Sequence, residues 1–463
     1  MFLEGSSWQE RYGANEIFSL RCQMADKPGI LGKVTSVIGD VGVHVGSIDL
    51  VEVDDQTQVR DILIYCKSKD EVAKTVQGIN ALDDVEVVDQ VDEIMEIHRR
   101  GAVEMVSRIP IQSLTDLRMV YTPGVASVCK EIQNNPESAW DWTGLCDRVA
   151  IITDGTAVLG LGDIGVVPSL PVMEGKAAIF AEFANLSAIP ILVDSKDPKT
   201  VIETSLNIAP SFGAIQLEDI AAPACFEIEE ALREKLDVPV FHDDQHGTAT
   251  VVLAALINAI KATGKKTEDC NVIMLGAGAA GIAISKILLD FGVKDIVVYD
   301  STGPIYKGRT ERMTKYKDRL ADITNKQGQT CPLAEGFKDK DIFIGVAQPN
   351  MVSKEMVASM NPDPICFPLS NPVGEISAED AIDAGAAVYA DGRGVNNALA
   401  YPGIFRGALD VHADAITLSM QIAAAKKLAE IADEDCLLPD MLDRNVHRQV
   451  ADAVAADYLN SKK

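Results

Sequence analysis

The chain has 463 residues, with 42 Lys plus Arg against 69 Asp plus Glu and a formal net charge of −27. This acidic balance excludes the basic footprint of a nucleic-acid binder and disfavours attachment to anionic membranes. Hydrophobic residues make up 47%, so the chain can bury a large core, and at about 150 residues per domain it holds roughly three.

Residues 15–97 read as a separate small α/β unit. IFSLRCQ has the pattern of a strand. A turn at Lys27-Pro28-Gly29 precedes Ile30, Leu31, Val34, Val37 and Ile38 at helical spacing, closed by Gly39 and Gly42. VHVGSIDLVEV and VRDILIYCK are strands flanking the turn Asp54-Asp55-Gln56, a second helix covers 69–81, and DVEVVDQV closes the unit as a strand. The order is βαββαβ, a ferredoxin-like split βαβ unit. With its D-K-P-G-I-L turn at 26–31, it resembles an ACT domain. That resemblance implies a small-molecule effector held where two copies meet, and hence a homodimer or a higher even homo-oligomer.

From residue 98 to 246 the chain reads as an α/β catalytic domain. VAIITD (149–154), IPILVD (189–194) and VPVFHDD (238–244) are apolar runs ending in acids, separated by helical stretches. Such alternation predicts a parallel sheet with covering helices. Residues 247–412 are expected to form a Rossmann dinucleotide-binding domain, and 413–463 a C-terminal helical segment, clearest at 416–432. The most apolar helical segment, 249–260, falls short of the roughly 20 residues that span a bilayer. The N-terminus lacks a basic region followed by an apolar stretch. Nine cysteines lie scattered, without a CxxC or a zinc-type Cys/His spacing. The expectation is a soluble cytoplasmic protein with reduced thiols.

The dinucleotide site is read at 271–300. NVIML is a strand, Gly276, Gly278 and Gly281 form a GxGxxG spanning Ala279 and Ala280, a helix follows, and DIVVYD ends in Asp300. The glycines allow a tight turn, close approach to a pyrophosphate and close helix packing, while the helix N-terminus favours the phosphates. Asp300 stands 24 residues after Gly276, close to where an acid bonds a ribose 2′-hydroxyl. An acid there repels a 2′-phosphate and favours NAD, whereas Lys307 and Arg309 nearby would admit NADP. A second GxGxxG, Gly160, Gly162 and Gly165, precedes V-V-P-S-L-P, so no helix and no phosphate site are expected there.

Two acidic pairs, Glu218-Asp219 and Asp243-Asp244, follow apolar runs. Adjacent carboxylates repel unless a cation or a hydrogen-bond network neutralises them. An oxygen-only set suits Mg²⁺ or Mn²⁺; the alternative is turn acids and helix caps. His242 and His246 flank the second pair and are read as supporting groups, since the segment begins as a strand. Lys176, at the border of an apolar helical stretch, is either a desolvated base or a snorkelling surface lysine. Tyr121, in the turn Y-T-P-G, is either a general acid or a packed aromatic.

Taken together these segments are more specific. V-Y-T-P-G-V (120–125), G-L-G-D-I-G (160–165), P-V-M-E-G-K-A (171–177), Q-L-E-D-I-A-A-P (216–223), P-V-F-H-D-D-Q-H-G-T-A (239–249), L-G-A-G-A-A-G (275–281), L-S-N-P (369–372) and N-N-A-L-A-Y-P-G (396–403) occur in this order. Over about 98–440 the chain resembles the short, bacterial-type malic enzymes. The resemblance implies oxidative decarboxylation of L-malate to pyruvate and CO₂, with reduction of NAD or NADP and a divalent metal. It assigns Tyr121 as general acid, Lys176 as general base and Asp243 as the acid supporting the lysine. Glu218, Asp219 and Asp244 match metal ligands, and Asn371 and Asn397 match amides contacting substrate and nicotinamide. Ala157 stands where the larger, eukaryotic-type enzymes carry an arginine for a malate carboxylate. No phosphotransacetylase-like extension is expected after residue 440. Two other readings stay open: a metal-dependent 2-hydroxy-acid dehydrogenase that does not decarboxylate, and a catalytically silent metabolite sensor.

Overall fold

The computed structural model describes residues 2–4, 16–158 and 160–463. They divide into two compact units, one of residues 5–102 and one of residues 1–4 with 103–463.

In the smaller unit, strands β2 (Glu16–Ala25), β3 (His44–Val53), β4 (Thr57–Cys66) and β5 (Val85–Asp92) alternate with helices α1 (Ile30–Val41) and α2 (Lys69–Asn80) as βαββαβ. The sheet is antiparallel, in the order β3-β4-β2-β5. Every second residue of β2 from Phe18 to Met24, namely Phe18, Leu20, Cys22 and Met24, is buried with Val34 and Ile38 of α1 and Val72 and Ile79 of α2. That is the period-2 strand meeting the 3.6-period helix. Gly42 ends α1 in the left-handed region at φ 87°, whereas Gly39 lies inside the helix.

In the larger unit, α3 (Leu114–Val120) and α4 (Val125–Asn134) have no buried residue. The chain then builds a four-stranded parallel sheet from β6 (Arg148–Thr153), β7 (Ser187–Leu192), β8 (Ala214–Leu217) and β9 (Val240–His242), in the order β7-β6-β8-β9. Helices α5 (Val166–Ala184), α6 (Pro198–Ile208) and α7 (Ala224–Lys235) connect the strands. Helix α5 opens immediately after Gly165, which corrects the expectation that the prolines forbid one. Pro168 falls in the first turn, where a backbone N–H has no intrahelical partner to lose, and Pro171 is carried inside the helix.

Helix α8 (Thr248–Thr263) links this sheet to the next and is buried along most of its length, as an all-round apolar helix must be. The second sheet holds β10 (Asn271–Leu275), β11 (Asp295–Asp300), β12 (Gly303–Pro304), β13 (Ile342–Gly345), β14 (Ile365–Pro368) and β15 (Val388–Ala390). Its order is β1-β15-β14-β13-β10-β11-β12, with β1 (Phe2–Glu4) parallel to β15 and only β12 antiparallel. Counted from β10, the order 2-1-3-4-5 places a switch point between β10 and β13, where open α/β sheets bind ligands. Helix α9 (Ala279–Phe291) follows the glycine loop, and α10 (Lys315–Ile323) lies beyond β12. Helices α11 (Tyr401–Asp410), α12 (Leu418–Ile431) and α13 (Arg444–Ser461) complete the unit. One hydrophobic core runs from Val149 through both sheets to Tyr458, so the C-terminal helices share the core of the two sheets. No helix among the described residues is long and apolar enough to cross a membrane.

Candidate active site

The carboxylates stand at the C-terminal ends of adjacent parallel strands. Glu218 and Asp219 follow β8, and Asp243 and Asp244 follow β9 in a single π-turn, Asp243–Gly247. Such turns concentrate at functional sites. Gly247 is required there, because a Cβ would strike Asp243 Oδ1. The carboxylate of Glu229, on α7, fastens the turn from below: it accepts from Gln245 Nε2 at 2.9 Å and meets His246 Nε2 at 2.6 Å. Burial opposes the Glu229 charge, but His246 holds its pKa down at about 2.

Glu218, Asp219 and Asp244 each present an oxygen within 4.8 Å of the others, and no other such group occurs among the described residues. The set contains no histidine: His246 is committed to Glu229, and His242, wholly buried, is not among the three. Asp219 has φ 53°, the left-handed region that costs a non-glycine residue energy and recurs at functional sites. Three hard oxygen donors on a carboxylate-rich floor fit a divalent cation such as Mg²⁺ or Mn²⁺.

Lys176 reaches this floor from the interior of α5. Its Nζ lies 2.6 Å from Asp243 Oδ2 and 3.2 Å from Glu218 Oε1, with the side chain 13% exposed. It is therefore a buried, paired lysine rather than a snorkelling one. Burial works to lower its pKa, but the charges of Asp243 and Glu218 outweigh that and hold it well above the ordinary lysine value. Burial pushes the Glu218 carboxyl well up; Lys176 opposes the rise, and Asp244, Asp243 and Asp219 add to it. Of the two carboxylates that meet the ammonium, Asp243 makes the shorter contact.

Asn397 donates from Nδ2 to Asp243 Oδ2 at 2.8 Å, so it joins the lysine pair directly. Asn371 stands at the end of β14 with its amide against Gly392, where a Cβ would lie 2.7 Å from Nδ2. Tyr121 ends α3 and is 67% exposed; the fold of this chain leaves its phenol in solvent. The tyrosine brought to the lysine is Tyr401, whose ring centroid lies 4.8 Å from Lys176 Nζ. Its side chain is fully buried and its hydroxyl has no hydrogen-bond partner. Tyr401 lies within the N-N-A-L-A-Y-P-G segment, and only its type, an aromatic with a polar tip, hints at more than packing.

The glycine loop behaves as its spacing predicts. Gly276 has φ 106°, and a Cβ there would lie 2.6 Å from the Val346 carbonyl oxygen. Gly281 would strike the Gly276 carbonyl oxygen, and Gly278 precedes α9, which begins with Ala279 and Ala280. A cavity of about 690 Å³ is lined by Gly276, Gly278, Asp300, Lys317, Thr314 and Ala347, among others. Asp300 is not the isolated acid that its sequence position implies. Arg309 Nη2 donates to both its oxygens at 2.7 and 2.8 Å, Lys317 Nζ donates at 2.6 Å, and the Thr302 N–H donates at 2.9 Å. Burial opposes its charge, yet Lys317 and these donors hold its pKa below the usual carboxylate range. Arg309 is also tied to the carbonyls of Gly303, Pro304 and Glu311, and Lys307 pairs with Asp322. The cation placed at the cavity wall is Lys317, which sequence reasoning missed.

The family descriptions "Malic enzyme, N-terminal domain" and "Malic enzyme, NAD binding domain" match residues 100–233 and 245–458. A NAD-dependent malic enzyme of Geobacillus stearothermophilus is 41% identical over 452 residues, 96% of this chain and 94% of the relative. The larger unit alone is too short to hold a match of that length, so the similarity extends into the smaller unit. A bifunctional malic/malolactic enzyme of Bacillus subtilis is 46% identical over 79% of this chain and 92% of its own length. Among solved structures, a NAD-dependent malic enzyme from Thermotoga maritima superimposes with a TM-score of 0.76 at 40% identity, covering 79% of this chain and 99% of that one.

Proposed function

The chain belongs to the malic enzyme family, and we propose that it oxidises L-malate at C2, with NAD as preferred hydride acceptor, and releases CO₂ to give pyruvate. The observation that carries this reading is the ion pair of Lys176 with Asp243 and Glu218, set against the oxygen cluster of Glu218, Asp219 and Asp244. A divalent cation held by those three residues would supply Lewis acidity toward the C2 oxygen. Lys176 must first give up the proton that Asp243 and Glu218 hold on it; as a neutral amine beside Asp243 and Asn397 it accepts the C2 hydroxyl proton as the C2 hydride passes to the nicotinamide. Asp243 then balances the charge of the protonated lysine, and Asn397 keeps its carboxylate aimed. Loss of CO₂ from the β-keto acid leaves an enolate that needs a proton at C3. The resemblance assigns that proton to Tyr121, and the fold places Tyr401 beside the lysine. Comparing Tyr121→Phe with Tyr401→Phe decides which phenol donates it.

Asp300 as ribose acceptor supports the preference for NAD, and Lys317 beside it supports measurable use of NADP. The βαββαβ unit is proposed as an ACT-type regulatory module that binds an amino acid or a central metabolite near Asp26–Leu31. The test of the reaction is stoichiometric: with Mn²⁺, malate and NAD the protein yields pyruvate, CO₂ and NADH in equal amounts. Accumulation of oxaloacetate refutes decarboxylation, and appearance of lactate without NADH refutes net oxidation.

A further inference from the structure

We propose that Glu375 is a positioning residue that sets, through one buried carboxylate, both the loop carrying Ala347 in the dinucleotide cavity and the loop carrying Asn371. Its side chain is wholly inaccessible to solvent. One oxygen accepts from the Ala347 N–H at 2.7 Å and the other from the Ser370 N–H at 3.2 Å. The first loop follows β13 and the second follows β14, so each oxygen holds a different strand end of the sheet. The backbone around Glu375 repeats the link: the Asn350 N–H donates to the Gly374 carbonyl at 3.1 Å and the Val352 N–H to the Glu375 carbonyl at 2.9 Å.

Both loops lead to working parts of the site. Ala347, Gln348 and Met351 line the dinucleotide cavity. Val346 packs its carbonyl against Gly276, the first glycine of the phosphate loop. Ser370 immediately precedes Asn371, whose amide packs on Gly392 and whose carbonyl lies close to Gly160 of the loop after β6. No lysine, arginine or histidine pairs with Glu375 among the described residues. Burial raises its pKa and the N–H donors oppose the rise. A buried carboxylate without a cation is costly, and an apolar side chain would fill the same volume at less cost. What a carboxylate supplies is two acceptor oxygens on one rigid plane. A glutamine supplies one acceptor and turns an NH₂ toward the other N–H. Gly345 completes the device: a Cβ there would overlap the Glu375 carboxyl group.

This inference rests on the malic enzyme reading only for the identity of the substrate, so the experiment includes readouts that need no turnover. In Glu375→Gln, the NAD dissociation constant and the malate KM are expected to rise at least about tenfold, the scale of losing one charge-assisted hydrogen bond. Gly345→Ala keeps the carboxylate but displaces it, and is expected to reproduce both effects. A purely structural role would lower thermal stability and leave both constants within twofold of wild type in the folded variants, and that result overturns the proposal. Amide hydrogen exchange on the wild-type protein decides the matter even if a variant fails to fold. Segments 345–352 and 369–376 are expected to be protected to the same extent and to slow together when NAD is added. Independent exchange of the two segments overturns the coupling.

Discussion

Replacing Asp300 with serine gives the sharpest test of how this site chooses its nucleotide. In the native protein the carboxylate is shared by Arg309, Lys317 and the Thr302 N–H, with 8% of the side chain exposed. Asp300→Ser removes the acceptor for a ribose 2′-hydroxyl and leaves two cations uncompensated. A hydrogen bond to a charged group is worth about 1.5–3 kcal/mol, so kcat/KM for NAD should fall about 10- to 150-fold. Arg309 keeps its three carbonyl partners and so remains in place, while Lys317 is released toward the cavity. A 2′-phosphate then finds an ammonium in place of a carboxylate, and kcat/KM for NADP should rise by a similar factor. Breaking a buried ion pair costs about 3–5 kcal/mol when a charge is left unpaired. The variant should therefore melt lower without ligand, and NADP should restore its Tm better than NAD. The assay is initial rates with each nucleotide at saturating malate and Mn²⁺, beside thermal melts with and without nucleotide. Parallel loss with both nucleotides would refute the reasoning, because it would mean that Asp300 serves only to fix the Arg309 loop.

Lys317→Gln leaves Asp300 neutralised by Arg309 alone; it should reduce the rate with NADP several-fold and leave NAD within twofold, as read by the same assay. Lys176→Met removes the proton acceptor, and kcat should fall about 10²- to 10⁴-fold while the NAD dissociation constant stays unchanged; a normal kcat would exclude Lys176 as the base. Burial and acidic neighbours push the Glu218 pKa up, so below that pKa a divalent cation at this site competes with a proton. Mn²⁺ affinity should rise about tenfold per pH unit below that pKa and level off above it, measured by titration calorimetry in buffers of different ionisation enthalpy. Absence of proton release on binding would contradict the assignment. A chain beginning at Val103 keeps the whole catalytic core but exposes the edge of β15 that β1 covers. It should retain turnover, lose any effector response of the full chain and aggregate more readily, as followed by kinetics and light scattering.

The parts of the site that are legible in the sequence are those fixed by local chemistry. The glycine loop is legible because each glycine answers a backbone demand within a few residues: φ at Gly276, close contact at Gly281. Glu218, Asp219, Asp243 and Asp244 are legible because acids that end apolar runs fall at the C-terminal ends of parallel strands. Helix α5 is not, because proline reads as a breaker unless its place in the first turn is taken into account. Lys317 and Glu375 are invisible for another reason. Each acts on a partner outside its own element, Lys317 on Asp300 and Glu375 on two loops from different strands, and no spacing in the chain encodes those approaches. Tyr401 belongs to a recognisable segment without standing out in it, since its value lies in facing Lys176 across the fold.

The hydrogen-bond state of the buried polar groups separates those that shape the site from those left for ligands. Glu229 and Glu375 are buried and fully engaged: one with Gln245 and His246, the other with two backbone N–H groups. Their energy is spent on holding a turn and two loops. By contrast, Gln216 Oε1, Asp243 Oδ1, the Tyr401 hydroxyl and both His242 ring nitrogens are buried without hydrogen-bond partners. They gather around the strand ends that carry the carboxylates. Each such atom costs about 1–3 kcal/mol. A fold retains such a cluster when the missing partners arrive with the ligands. The satisfied carboxylates are therefore read as scaffold, and Asp243 Oδ1 and the Tyr401 hydroxyl, on the two side chains beside Lys176, as polar atoms that a ligand would satisfy.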